Sequence, residues 1–305
     1  MMQLRQYQRK AITMLYDWFA KNETGNPVVC LPTGAGKSVV IATLCKEAIE
    51  SWRNTRILML VSSKELIAQN AAKMRTVWPN APLGIYSASL NRRDIDKITF
   101  AGIQSVRNRA SEIGHIDLCI VDECDEISHK EEGGYRTLIA KLTEINPNMR
   151  VIGFTATPFR LGHGMITDKP AIFDEIIEPT SIQELINLKY LAPLRSKVTK
   201  ERLITKGVHK RGGDYIESEL QAAVDTHDIN AHVVDEVMQI ASNYKHWLFF
   251  CSGVKHAENV RDMLLAKGIS AASLTGQSSQ RDTILKDFAS GKIRALTNCD
   301  ILTVG

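Results

Sequence analysis

Apolar and polar positions alternate along this chain in two distinct rhythms. Four short, largely apolar runs read as strands buried on both faces: Pro27 to Leu31, Arg56 to Val61, Leu118 to Val121 and Arg150 to Phe154. Between them the apolar residues fall at helical spacing. Ala11, Ile12, Leu15, Trp18 and Phe19 mark a helix over 6–21, and Val39 to Ile49 marks a second. Lys64 to about Trp78 is stopped by Pro79, and Tyr135 to Ile145 ends before Pro147. Shorter strands are expected at Leu83 to Tyr86 and Ile98 to Ala101. Strands alternating with amphipathic helices predict an α/β fold, a parallel sheet covered by helices, with ligands at the carboxyl ends of its strands.

From Gly162 to about Gly213 the rhythm weakens, apart from a helical stretch at Ser181 to Leu188. The basic segment His209-Lys210-Arg211-Gly212-Gly213 reads as a hairpin, either a solvated turn or a contact for nucleic acid. The alternation then resumes: a helix around Asn230 to Ala241, strand Trp247 to Cys251, helix Lys255 to Ala266, strand Ile269 to Leu274, helix Ser279 to Ala289 and strand Ile293 to Asn298. Gly268 and Gly291 stand where helix stops belong. Two lobes are therefore expected, 1–190 and 191–305. The second has only three clear strands and reads as incomplete, with an unpaired sheet edge and weaker hydrogen-exchange protection over 245–305.

At 305 residues the chain has room for both lobes, and 44% hydrophobic with 24% charged residues is ordinary for a globular protein. No run of apolar residues is long enough to cross a membrane and the N-terminus lacks a signal-peptide core, so a cytoplasmic address is expected. The six cysteines are scattered without a C-x-x-C pair, which favours buried reduced thiols over metal ligands or disulfides. A net charge of +4 allows a polyanionic partner without demanding one.

The candidate chemistry begins at Leu31-Pro32-Thr33-Gly34-Ala35-Gly36-Lys37-Ser38, between a strand and a helix. Backbone N–H groups of such a loop and the helix start face phosphates, Lys37 brings a full charge to the β and γ oxygens, and Ser38 offers a hydroxyl to Mg²⁺. Gly34 and Gly36 let the backbone pass close to the ligand, while Leu31 stands where the strict phosphate-loop pattern has glycine. Asp122 and Glu123 close a strand about 85 residues later, their carboxylates on opposite sides of its path. Asp122 is then the Mg²⁺ partner and Glu123 the base that orients the attacking water; capping the next element is the alternative. Thr155-Ala156-Thr157 ends the following strand beside the same pocket, although any tight exit turn has this composition.

Taken together these segments resemble superfamily 2 helicases of the DEAD/DEAH-box-related kind, with two RecA-like lobes. Leu4-Arg5-Gln6-Tyr7-Gln8 is similar to the adenine-reading segment, which implies nucleotide contacts for Arg5 and Gln8, besides Thr33 to Ser38 in motif I. Val61 to Leu66 resembles motif Ia, Gly102 to Ser105 motif Ib, Asp122 to Asp125 motif II, Thr155 to Thr157 motif III, Phe249 to Ser252 motif IV, and Thr297 to Gly305 the start of motif V. The branch it looks most like is the RadD-like and type III restriction-like one, through Thr-Ala-Thr-Pro-Phe-Arg-Leu-Gly and Val-Lys-His-Ala. The resemblance implies ATP and Mg²⁺ as cofactors, a nucleic-acid partner, DNA before RNA, and phosphate contacts from Ser62, Lys64, Gly102, Gln104, Ser252 and Thr297. It implies that Asp125, Thr155 and Thr157 couple the nucleotide to the rest of the motor.

Two departures stand out. Asp125 occupies the position where this branch has histidine, so an acceptor replaces a donor and coupling is the expected casualty. The chain also stops at Gly305 inside motif V, short of the motif that carries arginine fingers, so these 305 residues are expected to bind ATP and hydrolyse it poorly. The expected activity is an ATP-dependent helicase or translocase. The alternatives are a nucleotide-switched binding or scaffold module without unwinding activity and the motor subunit of a restriction complex.

Overall fold

The computed structural model describes residues 3–127, 133–160, 164–197, 204–211, 214–276, 278, 280–299 and 301–302; the side chains of 64, 65, 211 and 214 are outside that description. The chain divides into two compact units, Met1–Pro193 and Leu194–Gly305.

In the first unit the order is α1 (Gln6–Lys21), β1 (Pro27–Cys30), α2 (Lys37–Ser51), β2 (Ile57–Val61), α3 (Lys64–Val77), β3 (Leu83–Ser87), β4 (Arg92–Arg93) and β5 (Ile98–Gly102). It continues through α4 (Ile103–Val106), α5 (Ala110–Ile113), β6 (Leu118–Asp122), α6 (Gly134–Ile145), β7 (Arg150–Thr155), β8 (Phe159–Arg160), β9 (Gly164–Met165), β10 (Glu175–Ile177) and α7 (Ile182–Asn187). Eight strands form one sheet in the order β10-β1-β7-β6-β2-β5-β3-β4, parallel throughout except for the antiparallel edge β4.

Successive strand residues enter opposite cores, as the pleat requires. Ile57, Met59 and Val61 join Ala11, Leu15, Ile41, Leu44 and Ile67 under α1, α2 and α3. Leu58 and Leu60 join Val106, Ile113, Leu138 and Leu142 under α4, α5 and α6. Ser63 starts α3 by accepting a hydrogen bond from Leu66 N–H, which fixes the turn that leaves β2.

The consequence for function lies in the strand order. β1, β7 and β6 are adjacent, with Cys30 level with Thr155 and Asp122 level with Phe154. The phosphate loop, the Thr-Ala-Thr turn and the acidic pair therefore leave the sheet side by side at its carboxyl edge.

The second unit contains the hairpin β11 (Lys210–Arg211) and β12 (Asp214–Tyr215), then α8 (Glu217–Val224), α9 (His227–Ile240), β13 (Trp247–Phe250), α10 (Val254–Ala266), β14 (Ala271–Leu274), α11 (Arg281–Ala289) and β15 (Ala295–Asn298). The tip of the expected basic hairpin, Gly212 and Gly213, lies outside the described residues. Its three-stranded sheet is parallel with β15 central, and Val234, Trp247, Val260, Leu264 and Ala295 form its core. No helix among the described residues is long and apolar enough to cross a membrane.

Candidate active site

The loop after β1 owes its shape to two glycines at positive φ, Gly34 at 81° and Gly36 at 83°. A β-carbon on Gly36 would stand 2.6 Å from Gln8 Nε2, an amide held by its own hydrogen bonds, so that position also needs glycine for space; one on Gly34 would stand 2.9 Å from the movable end of Leu191 at Cδ2. The loop is held from below by the first helix: Tyr7 OH and Gln8 Nε2 donate to the Ala35 carbonyl at 2.8 and 2.9 Å. Gln8 Oε1 accepts from Arg5 N–H at 3.0 Å, closing the start of α1. The Arg5 guanidinium lies 4.1 Å from the centroid of the Tyr190 ring, which is 5.7 Å from that of Tyr7. Gln8, 5% exposed, thus spends hydrogen bonds on bracing the loop, with Arg5 beside it at the start of α1.

Lys37, the first residue of α2, reaches across to the acidic pair. Its Nζ is 3.1 Å from Asp122 Oδ1 and hydrogen-bonds Glu123 Oε1. The two carboxylates therefore share one side and do not diverge as the strand geometry suggests. The cause is local: Glu123 leaves β6 at φ 50°, ψ 52°, and this left-handed step turns its side chain back beside Asp122. Burial opposes the charge on Lys37, but Asp122 and Glu123 outweigh it and hold its pKa above the ordinary lysine value. Burial pushes Glu123 above the usual carboxylate value against the pull of Lys37, toward the range a general base needs.

Asn70 on α3 completes the acidic corner and was not singled out by any sequence motif. Its Nδ2 donates to Asp122 Oδ2 at 2.8 Å, and its Oδ1 faces the Ser38 hydroxyl at 3.4 Å. A hydroxyl and a carboxylate, spaced by one amide, form an oxygen donor set suited to a hard cation that keeps waters and shares phosphate oxygens. The donor chemistry at Ser38 and Asp122 fits Mg²⁺.

Asp125 spends both of its oxygens on the turn after β7. Thr155 Oγ1 donates to Asp125 Oδ1 and Thr157 Oγ1 donates to Oδ2 at 2.9 Å, so each carboxylate oxygen takes one threonine hydroxyl. An ionised acid is the right partner for two donors.

The expected nucleic-acid contacts fare unevenly. Ser62 and Gly102 follow or end the neighbouring strands β2 and β5 at the same carboxyl edge, with Val61 level with Gly102, and Gln104 is exposed just beyond. The Lys64 side chain lies outside the described residues. Ser252 is half-buried at the end of β13. Thr297 is corrected by the structure: it is fully buried in β15 and its hydroxyl donates to the Ala257 carbonyl at 2.8 Å, which leaves it no route to a ligand.

The family described as "Type III restriction enzyme, res subunit" matches residues 1–160. Among curated proteins the chain is 28% identical over 276 residues to the "51.5 kDa protein" of Lactococcus phage (isolate 7-9), covering 90% of the chain and 55% of the relative. It is 26% identical over 312 residues to the "Putative mitochondrial ATP-dependent helicase irc3" of Schizosaccharomyces pombe, covering 100% of the chain and 50% of the relative. The chain thus spans about half the length of these relatives. Among solved structures, the ATP-dependent Type ISP restriction-modification enzyme LlaBIII bound to DNA aligns with a TM-score of 0.64 at 13% identity, over 100% of this chain and 25% of the other. Dbp5 L327V of S. cerevisiae bound to RNA and ADP BeF3 gives 0.54 at 13% identity, over 99% and 75%. The Pyrococcus furiosus Hef helicase domain gives 0.52 at 16% identity, over 98% and 86%. These likenesses establish the RecA-like helicase fold for the α/β architecture described above. With more than half of its residues matched, the chain belongs to the family of the type III restriction enzyme res subunit.

Proposed function

We propose that this chain is an ATP-driven motor on nucleic acid, DNA rather than RNA, that couples hydrolysis to movement along a strand. The observation that carries the reading is the meeting of Lys37 with Asp122 and Glu123 at adjacent strand ends. In this reading 1–190 is the ATP-binding lobe and 191–305 belongs to the second lobe. The loop Thr33 to Ser38 cradles the phosphates, and Lys37 transfers its amine from the carboxylates to the γ-phosphate oxygens. Ser38 and Asp122 would hold Mg²⁺, which would supply charge neutralisation for phosphoryl transfer. Glu123, released by Lys37, orients and deprotonates the attacking water. Arg5 and Gln8 read the adenine. Asp125 senses the product state through Thr155 and Thr157, because any shift of the acidic strand end moves both hydroxyls. Ser62, Gly102 and Gln104, with Lys64 and Ser252, grip backbone phosphates, as a motor indifferent to sequence must. All six cysteines are thiols outside any disulfide, five of them buried, which suits a reducing cytoplasm.

The test is ATP hydrolysis with and without single- and double-stranded DNA for the wild type and Glu123→Gln. Slow hydrolysis, raised by DNA and lost in the variant while nucleotide binding persists, is expected; hydrolysis indifferent to the variant or to every nucleic acid overturns the proposal. The family match favours a second reading, the motor subunit of a restriction complex. Displacement of a triplex-forming strand without separation of the duplex would select it.

A further inference from the structure

The second unit contains a polar chain that the nucleotide site does not use. At its outer end, Ser252 presents both its hydroxyl and its backbone N–H to one nitrogen of His256, Nδ1, at 3.0 and 3.3 Å. His256 Nε2 lies 3.1 Å from Asn230 Oδ1. Asn230 Nδ2 donates to Asp225 Oδ1 at 2.7 Å, and Asn259 Nδ2 donates to both Asp225 oxygens at 3.1 and 3.0 Å.

The direction of every hydrogen follows from the far end. The Asp225 carboxylate only accepts, so Asn230 must turn its amide nitrogen toward it and its oxygen toward His256. That oxygen only accepts, so His256 carries its proton on Nε2. Nδ1 is left as a lone pair, and both donors of Ser252 are directed inward at it. In this state Ser252 shows a phosphate oxygen only lone pairs. Protonation of Nδ1 reverses the arrangement: the imidazolium donates to Ser252 Oγ, the hydroxyl hydrogen and the amide N–H both lose their acceptor, and a positive charge stands behind them. Two donors and a cation make an anion site.

Resting on the motor reading above, in which Ser252 grips the strand, we propose that His256 is a positioning residue that presents Ser252 to a backbone phosphate only when it is protonated, so that nucleic-acid binding takes up a proton. Among the described residues, the surroundings leave His256 able to play this part. α10 packs on α9, β14 and β15, and the two strands contribute no titratable side chain. On α9, His227 and Asp228 pair with each other and Asp235 pairs with Lys267, while His232 and Glu236 lie further along the helix. On α10 itself Lys255 pairs with Glu258. Burial pushes the nearby Cys251 thiol up to about 12, which keeps it neutral. Burial lowers the His256 pKa from the ordinary imidazole value and Asp225 opposes that, so burial favours the neutral ring that the hydrogen-bond pattern requires.

The experiment measures binding of a fluorescent oligothymidylate at constant ionic strength from about pH 8 to pH 6, a span chosen to bracket histidine titration, for the wild type, His256→Gln and Ser252→Ala. The wild type is expected to tighten as pH falls, by up to about one proton per binding event more than His256→Gln. Ser252→Ala is expected to lose the same increment, and serves if the first variant fails to fold. Equal pH slopes for the wild type and both variants overturn the inference. Absence of binding by the wild type at every pH overturns the motor reading beneath it. Nitrogen-15 resonances of the imidazole in the free protein give an independent check: an Nε2–H tautomer is expected, and an Nδ1–H tautomer refutes the assignment of the chain.

Discussion

Replacing Lys37 with methionine tests the central site through two quantities that respond to different partners of the amine. In the free protein the amine is the shared counter-charge of Asp122, whose side chain is 3% exposed, and Glu123, at 17%. Without it two like charges remain together in a largely dry corner, and removing one partner of a buried ion pair costs about 3–5 kcal/mol. The stability deficit has a pH signature. With the lysine gone, burial and the Asp122 charge raise the Glu123 pKa further in the folded state, so the penalty is full above that value. It shrinks as the pH falls and one acid takes up a proton. Urea unfolding followed by tryptophan fluorescence reads this, because Trp18, Trp52 and Trp78 belong to the first unit and only Trp247 to the second. Nucleotide affinity is the second quantity. A hydrogen bond to a charged group contributes about 1.5–3 kcal/mol, so the variant is expected to bind ATP about ten- to a hundredfold more weakly. A deficit below about 1 kcal/mol at neutral pH, well under the cost of an uncompensated buried charge, or one that stays constant with pH, refutes the placement of the three groups in one desolvated pocket.

Asn70→Ala removes the amide that orients Asp122, and is expected to weaken nucleotide binding in the presence of Mg²⁺ while leaving Mg²⁺-free binding close to wild type; titrations with and without the ion decide it. Gly153→Ala would place a β-carbon 2.7 Å from Cys124 Sγ and 2.9 Å from the Phe173 ring, so a loss of about 1–3 kcal/mol in thermal stability is expected, and an unchanged Tm counts against the packing. Acid should loosen the second unit in two steps. His256, with its pKa depressed by burial, contributes stability that fades as pH drops below the ordinary histidine value. Burial opposes ionisation of Asp225, but hydrogen bonds from Asn259 and Asn230 outweigh it, so its contribution is lost only at lower pH, through its depressed value. Hydrogen exchange over residues 225–260, corrected for intrinsic rates, should show both steps, and flat protection would speak against them.

Much of the first unit was legible because periodicity and punctuation agree there: the span expected over 6–21 is α1, Gln6–Lys21, and Pro79 falls just after α3. β10 was not legible, since three residues acquire strand character only by pairing with Val28 and Val29 of β1, a partner nearly 150 residues away. α8 was hidden in a segment whose polar surface masks its one buried residue, Val224. At the site, the loop and the acids were readable from residue type and spacing. Their convergence was not, because it depends on the left-handed step at Glu123, a conformation that glutamate seldom adopts and no local pattern announces. Asn70 was invisible for a different reason: on an amphipathic helix an asparagine reads as surface until the strand opposite it is known to end in a carboxylate. Thr297 misled because a motif match says nothing about which way a strand residue faces, and in β15 the hydroxyl serves the neighbouring helix.

Leu191 closes off the space beside the bend at Gly34, where a β-carbon would stand 2.9 Å from its Cδ2. Tyr190 leans on Tyr7 and Arg5, and the first unit ends at Pro193, two residues past the leucine. A side chain added at the bend would therefore meet the last stretch of the first unit, far along the chain from the loop itself.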